Sequence, residues 1–204
     1  MRAEAESACL PGDIVGVIDT EEMAGSKKKP VRIGPGLMQS GENQIVATKS
    51  GTLKYKEKHQ YWWVDNHTQK KYVPSLEDLV IGVVVGKAGE SFVVDLGSAG
   101  YGKLSFMAFE GATKKNRPKL VNGSIVYARV ISASKDMDPE LECMSLRKRA
   151  DGFGELTGGY MFKCSLHLAR ELIDPKSFVL AYLGTKLPYE IAVGLNGKVW
   201  VKAS

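Results

Sequence analysis

Cysteine is scarce in this chain of 204 residues: there are three, Cys9, Cys143 and Cys164, odd in number and far apart. That pattern argues against a disulfide framework or a four-ligand zinc site, and it fits a reducing compartment. Histidine is equally sparse. His59, His67 and His167 are scattered, with no two at a metal-ligand spacing. Nothing approaches the ~18 uninterrupted apolar residues of a membrane span, and the N-terminus lacks the basic-then-apolar order of a signal peptide. No nucleophile motif or phosphate-cradling glycine loop appears. Asp136 and Asp138 alternate as a metal pair would, but they flank Met137 and precede Pro139, which reads as a turn. The residues therefore give catalysis no support and imply no cofactor.

What is present is an ordinary apolar content, 44%, and a formal net charge of +5. Acidic side chains crowd residues 1–26, where Arg2 is the one base, so the rest of the chain is more basic still. A basic body suits a polyanion partner, although many soluble proteins reach this balance without one. Alternating or β-branched runs punctuated by glycine dominate, and long amphipathic helical patterns are absent before about residue 165. The expected fold is mainly β, in three small domains with a C-terminal α+β module. Cores this small are marginal alone, so packing between modules or onto partners is expected.

The first domain, residues 1–72, has candidate strands at 13–18, 44–49, 52–56 and 61–64. Ser50-Gly51 reads as a tight hairpin turn, and Gly34-Pro35-Gly36 as a rigid bend. Lys27-Lys28-Lys29 is too short for a full basic cluster. It reads as a solvated loop, with a phosphate contact or an import signal as the alternative. Trp62 and Trp63 must face opposite sides of one strand, one toward the core and the other toward solvent, a neighbouring domain or a partner. The second domain, residues 73–149, shows five strand patterns with one long connection, 111–119, between the third and fourth. That is the layout of an OB-type barrel. The connection carries Lys114, Lys115, Arg117 and Lys119, which can neutralise phosphates, or can be a solvated, partner-facing loop. Lys103 and Arg129 could extend that basic path. The competing readings are a plain surface lysine and a cross-strand charge pair. The third domain, residues 150–204, opens on a glycine-rich linker. Its order is strand, helix, helix, strand, strand. Ser165 caps the first helix, Asp174-Pro175 starts the second, and Gly194-Leu195-Asn196-Gly197 turns between the last two strands.

Several strings carry a family resemblance. Phe92-Val93-Val94-Asp95-Leu96-Gly97, Leu104-Ser105, Asn122-Gly123-Ser124-Ile125-Val126 and Met144-Ser145-Leu146 resemble an S1 RNA-binding domain. Gly194–Gly197 is similar to the Gly-x-x-Gly loop of KH domains. Leu10-Pro11-Gly12-Asp13, Gly34-Pro35-Gly36-Leu37, Lys71-Tyr72-Val73-Pro74, the run from Phe109 to Pro118 and Val199-Trp200-Val201-Lys202-Ala203 resemble the cap subunits of the RNA exosome across nearly the whole chain. The resemblance implies a non-catalytic RNA-binding role. Its partners would be RNA, RNase PH-like ring subunits, other cap subunits and, indirectly, a 3′→5′ exonuclease, with no membrane. It also implies a nuclear, nucleolar and cytoplasmic location. Gly36, Leu37, Trp62 and Trp63 become candidates for the ring contact, the alternative being that Leu37 and one tryptophan are core. Two departures stand out. Glu90 and Val93 occupy the positions where S1 domains usually carry stacking aromatics, and Lys103 occupies the usual histidine position, so RNA contact should rest on charge and shape. The KH-like module, which in the family continues into a last helix, lacks that helix here. For Gly194–Gly197 both a structural turn and an RNA contact stay open.

Overall fold

The computed structural model describes residues 6–17, 32–41, 43–66, 71–113, 115–134, 136–174 and 177–203. Lys27–Lys29, His67, Lys114 and Pro175 lie outside the described residues. The chain divides into two compact units, Met1–Gln69 and Lys70–Ser204.

Among the described residues, the first unit has seven short strands: β1 (Ala8–Cys9), β2 (Ile14–Val17), β3 (Arg32–Ile33), β4 (Leu37–Ser40), β5 (Gln44–Ala47), β6 (Gly51–Lys56) and β7 (Tyr61–Asp65). They form two sheets, ordered β2-β5-β4 and β1-β6-β7-β3. The two-residue side-chain period sends Trp62 and Val64 inward with Ile45, Ala47 and Leu53, while Trp63 stays half-buried. Ser50-Gly51 does not close a hairpin: β5 and β6 belong to different sheets, and the chain crosses from one to the other there. Glycine is required at 51 for close approach, because a Cβ would collide with the Asp65 carbonyl oxygen. The hairpins of this unit are β4–β5 and β6–β7.

In the second unit, β8 (Leu79–Ala88), β9 (Ser91–Asp95), β10 (Gly102–Phe109), β11 (Ile125–Ser132) and β12 (Glu140–Cys143) make the barrel. The parallel β10–β12 and antiparallel β11–β12 pairings close it. Val80, Val84, Phe92, Val94, Leu104 and Val126 fill the interior at no more than 1% exposure. Each such side chain contributes roughly 1.5–3 kcal/mol by leaving water. The glycine-rich stretch expected to be a linker contributes a strand, β13 (Gly154–Leu156), which pairs with β11.

The C-terminal module runs β14 (Tyr160–Lys163), α1 (Leu166–Ile173), α2 (Phe178–Gly184), β15 (Tyr189–Val193) and β16 (Lys198–Ala203), with sheet order β14-β16-β15. The Ser165 hydroxyl caps α1 by accepting from the Leu168 N–H at 3.2 Å. Asp174 does not start the second helix. It ends α1 in extended backbone, as a residue before proline prefers, and Ser177 is the N-cap of α2. Ala169 packs on Val193 and Val199 on one face of the sheet. Ala192 and Trp200, on the other face, pack on Ile81 of β8.

Candidate nucleic-acid interface

The outer face of the β9–β10 pair is set by strand alternation. Val93 lies directly opposite Lys103, while Phe92 turns inward and meets Phe106 edge-on, ring centroids 4.7 Å apart. The outer face of β9 therefore carries no stacking ring. One aromatic side chain nevertheless stands there. Tyr101, just before β10, is 56% exposed and shares with Ser91, Val93, Lys103 and Asp138 a concavity of about 330 Å³. The sequence reading missed it because it precedes the strand positions that carry aromatics in S1 domains. Lys103 Nζ lies 3.2 Å from Asp138 Oδ2, with both side chains about half exposed, so the pair is weakly held.

The long connection forms a turn in which the Asn116 N–H donates to Thr113 Oγ1 at 3.0 Å. Lys115, Arg117 and Lys119 are exposed. The Arg117 guanidinium lies 5.5 Å from the Phe106 centroid and 3.6 Å from the Glu90 carboxylate. Lys87 at the end of β8 reaches within 5.4 Å of the Phe92 centroid. Because Phe92 and Phe106 are in contact, Lys87 and Arg117 sit at the same end of the barrel. Lys87 was not among the sequence candidates. Its signal is cross-strand register, Lys87 opposite Phe92, which a linear reading does not reveal.

Two sequence candidates are engaged elsewhere. Arg129 is buried and faces Glu142 across the β11–β12 ladder. Its Nη2 donates to Glu142 at 2.7 Å, and its Nη1 donates to both oxygens of Glu77 at 2.7 and 2.9 Å. The Glu77 hydrogen bond is the main reason its pKa is held above the ordinary arginine value. This is the cross-strand charge pair, not an extension of a basic path. The loop Gly194–Gly197 is likewise packed against the barrel. The Asn196 side chain is buried; its Nδ2 donates to the carbonyls of Ile81 (2.7 Å) and Leu96 (2.8 Å), and its Oδ1 accepts from the Ile81 N–H at 3.2 Å. The Leu195 N–H donates to the Leu79 carbonyl at 2.7 Å. Gly197 has φ +75° and would place a Cβ 2.7 Å from the Cys164 carbonyl oxygen. Beside it, buried Lys198 donates to the Asp95 carbonyl at 2.8 Å, and desolvation pulls its pKa down against the opposing pull of the Asp95 carboxylate. The loop is a strut between modules, and its backbone is not presented to a ligand.

Of the first unit's candidates, Leu37 and Trp62 are core residues, with Trp62 stacked on Tyr55 at 4.3 Å. Gly36 is buried against Val64. Only Trp63, half-buried and stacked on Tyr61 at 5.5 Å, keeps a partly open face.

Family models match in chain order: the Exosome complex exonuclease Rrp40 N-terminal domain over residues 31–69, the Exosome complex component RRP40 S1 domain over 72–154, and a KH domain over 159–204. The Exosome complex component RRP40 of Drosophila melanogaster is 46% identical over 95% of this chain and 81% of its own length. The chain belongs to the exosome complex component RRP40 family. The human member is 39% identical over 98% of this chain and 74% of its own length. A crystal structure provisionally described as an exosome complex RNA-binding protein aligns with a TM-score of 0.55 at 24% identity, covering 66% of this chain and 77% of that one, and it supports the fold alone. The family membership and the strut geometry agree in one respect: the S1 and KH modules of this RRP40 relative are joined by the loop that carries the KH signature.

Proposed function

We propose that this chain is a non-catalytic cap subunit of the RNA exosome. It bridges RNase PH-like ring subunits, contacts other cap subunits, and helps lead RNA toward a separate 3′→5′ exonuclease, in the nucleus, nucleolus and cytoplasm. The observation that carries the RNA role is the cationic end of the barrel, where Lys87, Lys115, Arg117 and Lys119 are exposed while the KH loop is packed away. Phosphates are held there by charge, with Tyr101 and Lys103 offering one adjacent stacking and charge contact.

For the ring contact, strand register supports a different surface from the one chosen by sequence. Ile14, Val46 and Met38 align across β2, β5 and β4, with Ile14 59% and Met38 55% exposed. An exposed apolar row of this kind suits a protein interface. The test is a tagged pull-down from cells with a high-salt wash. Recovery of ring subunits and a 3′→5′ exonuclease, lost in an Ile14→Asp/Met38→Asp double variant, is the expected result. Recovery of the chain alone, or with RNA only, would sink the subunit reading.

A further inference from the structure

Strand register builds an aromatic and cationic surface on the first unit, on the face of the β1-β6-β7-β3 sheet opposite its core. Tyr61 and Trp63 alternate with the buried Trp62 and Val64, so both stand on that outer face. Both are half-buried, with ring centroids 5.5 Å apart and planes 28° from parallel. Residues directly opposite each other on paired strands share a face. Lys54 therefore lies beside Trp63, and Lys56 and Arg32 flank Tyr61 from the two neighbouring strands. Arg32 and Lys56 are exposed, and the Lys54 side chain is 37% exposed. Gly34, just past β3, makes room for the phenol: a Cβ there would collide with the Tyr61 hydroxyl, so the ring reaches over the glycine. We propose that this face binds single-stranded RNA, with a base stacked on the Tyr61–Trp63 rings and phosphates held by Lys54, Lys56 and Arg32.

Rings and charge together select this ligand. A base stacks on an aromatic side chain whatever its identity, and cations beside the ring follow the backbone. A duplex keeps its base faces stacked on one another, so the strand must be single. Two acids share the surroundings. The Glu6 carboxylate lies 3.6 Å from Lys54 Nζ with 79% of its side chain exposed, a pair weak enough for a phosphate to displace. Asp65 stands opposite Thr52, two residues beyond Trp63, so the cationic end of the face is at Lys56, Tyr61 and Arg32. A protein contact fits this chemistry less well. An apolar partner face would take three cations out of water unpaired, which is costly, whereas phosphates pair with them and release counterions. The row Ile14, Val46 and Met38 on the other sheet carries no charge and is the contrasting case. Taking the strand as RNA rests on the function proposed above. The site is separate from the cationic end of the barrel and reports through its own residues, so either assignment can fail alone.

The test titrates the full ¹⁵N-labelled chain with the RNA pentamer ACACA and, separately, with an abasic pentamer of equal charge, following the Trp63 indole N–H and the Tyr61 amide. Saturable shifts with ACACA are expected, with the abasic strand binding about tenfold more weakly at the same signals. Trp63→Ala should weaken binding read at the Tyr61 amide by about five- to one-hundredfold, the range for one stacked base, and Trp63→Phe should restore most of it. Lys54→Gln/Lys56→Gln, at side chains that reach solvent, should keep the fold and lower the local salt slope by about 1.4, from about 0.7 for each phosphate released. Equal binding of the abasic strand would reduce the face to a patch of charge and overturn the proposal. Silence at both signals would overturn it as well, and loss of ring subunits from Trp63→Ala in the pull-down would then assign the face to a protein.

Discussion

The loops Gly194–Gly197 and Gly111–Lys119 differ in what packing leaves free. The first carries the recognisable KH signature, yet every residue of it is buried or half-buried against the S1 barrel. The second leaves Lys115, Arg117 and Lys119 exposed, with Arg117 at the same end of the barrel as Lys87. A motif records what a backbone can do; burial and hydrogen-bond partners decide what remains free to do it. Asparagine followed by glycine serves a two-residue turn well, and the Asn196 amide then pairs with both the N–H and the carbonyl of Ile81.

The strongest way to break this contrast is Asn196→Ala. It strands one N–H and two carbonyls in a buried seam and should lower unfolding free energy by roughly 3 kcal/mol or more. Denaturant unfolding gives the loss, and RNA affinity per folded molecule should change less than about twofold. If RNA binding fell with little loss of stability, the strut reading would fail. The reciprocal change, Lys115→Ala/Arg117→Ala/Lys119→Ala, should leave stability within about 0.5 kcal/mol. It should cut affinity for single-stranded RNA and lower the salt slope by about 0.7 for each phosphate no longer neutralised. A filter-binding salt series reads both. Tyr101→Ala sharpens the comparison within the barrel: removing one stacking platform should cost roughly 1 kcal/mol, the low end of the range per base, with the salt slope unchanged.

The smallest effect concerns Lys198. Its folded pKa lies below its unfolded value of 10.5, so between the two the unfolded chain binds the extra proton and stability from this group rises with pH. The penalty is present in full below the folded pKa and disappears above 10.5. Lys198→Met should flatten that rise in urea unfolding measured from pH 8 upward. An unchanged pH profile would show that the lysine keeps its hydration.

How much of this was legible depended on distance along the chain. The barrel and the order β14-α1-α2-β15-β16 follow from local alternation, capping and turn residues, and both appear as expected. Ser50-Gly51 misled because two strands separated by a turn residue look alike whether they pair with each other or with different sheets. The glycine-rich stretch hid β13, whose pairing comes from β11, nearly thirty residues earlier. Arg129 and Asn196 carried the same difficulty into the candidate site. The alternatives were visible, but the choice between them lay in Glu77, 52 positions away, and Ile81, 115 positions away. Lys87 and Tyr101 became candidates only once register placed them beside Phe92 and Lys103.

Asn196 also bears on how the chain comes apart. Its contacts to Ile81 and Leu96, with Trp200 packed on Ile81, tie the C-terminal sheet to β8 and to the end of β9. Two modules that sequence families treat as separable then share their least accessible amides. The Ile81 N–H should exchange with deuterium only when barrel and KH-like sheet open together. The pair should melt in one transition, and a barrel excised at residue 150 should lose slow-exchanging protons from strands that the cut never touched.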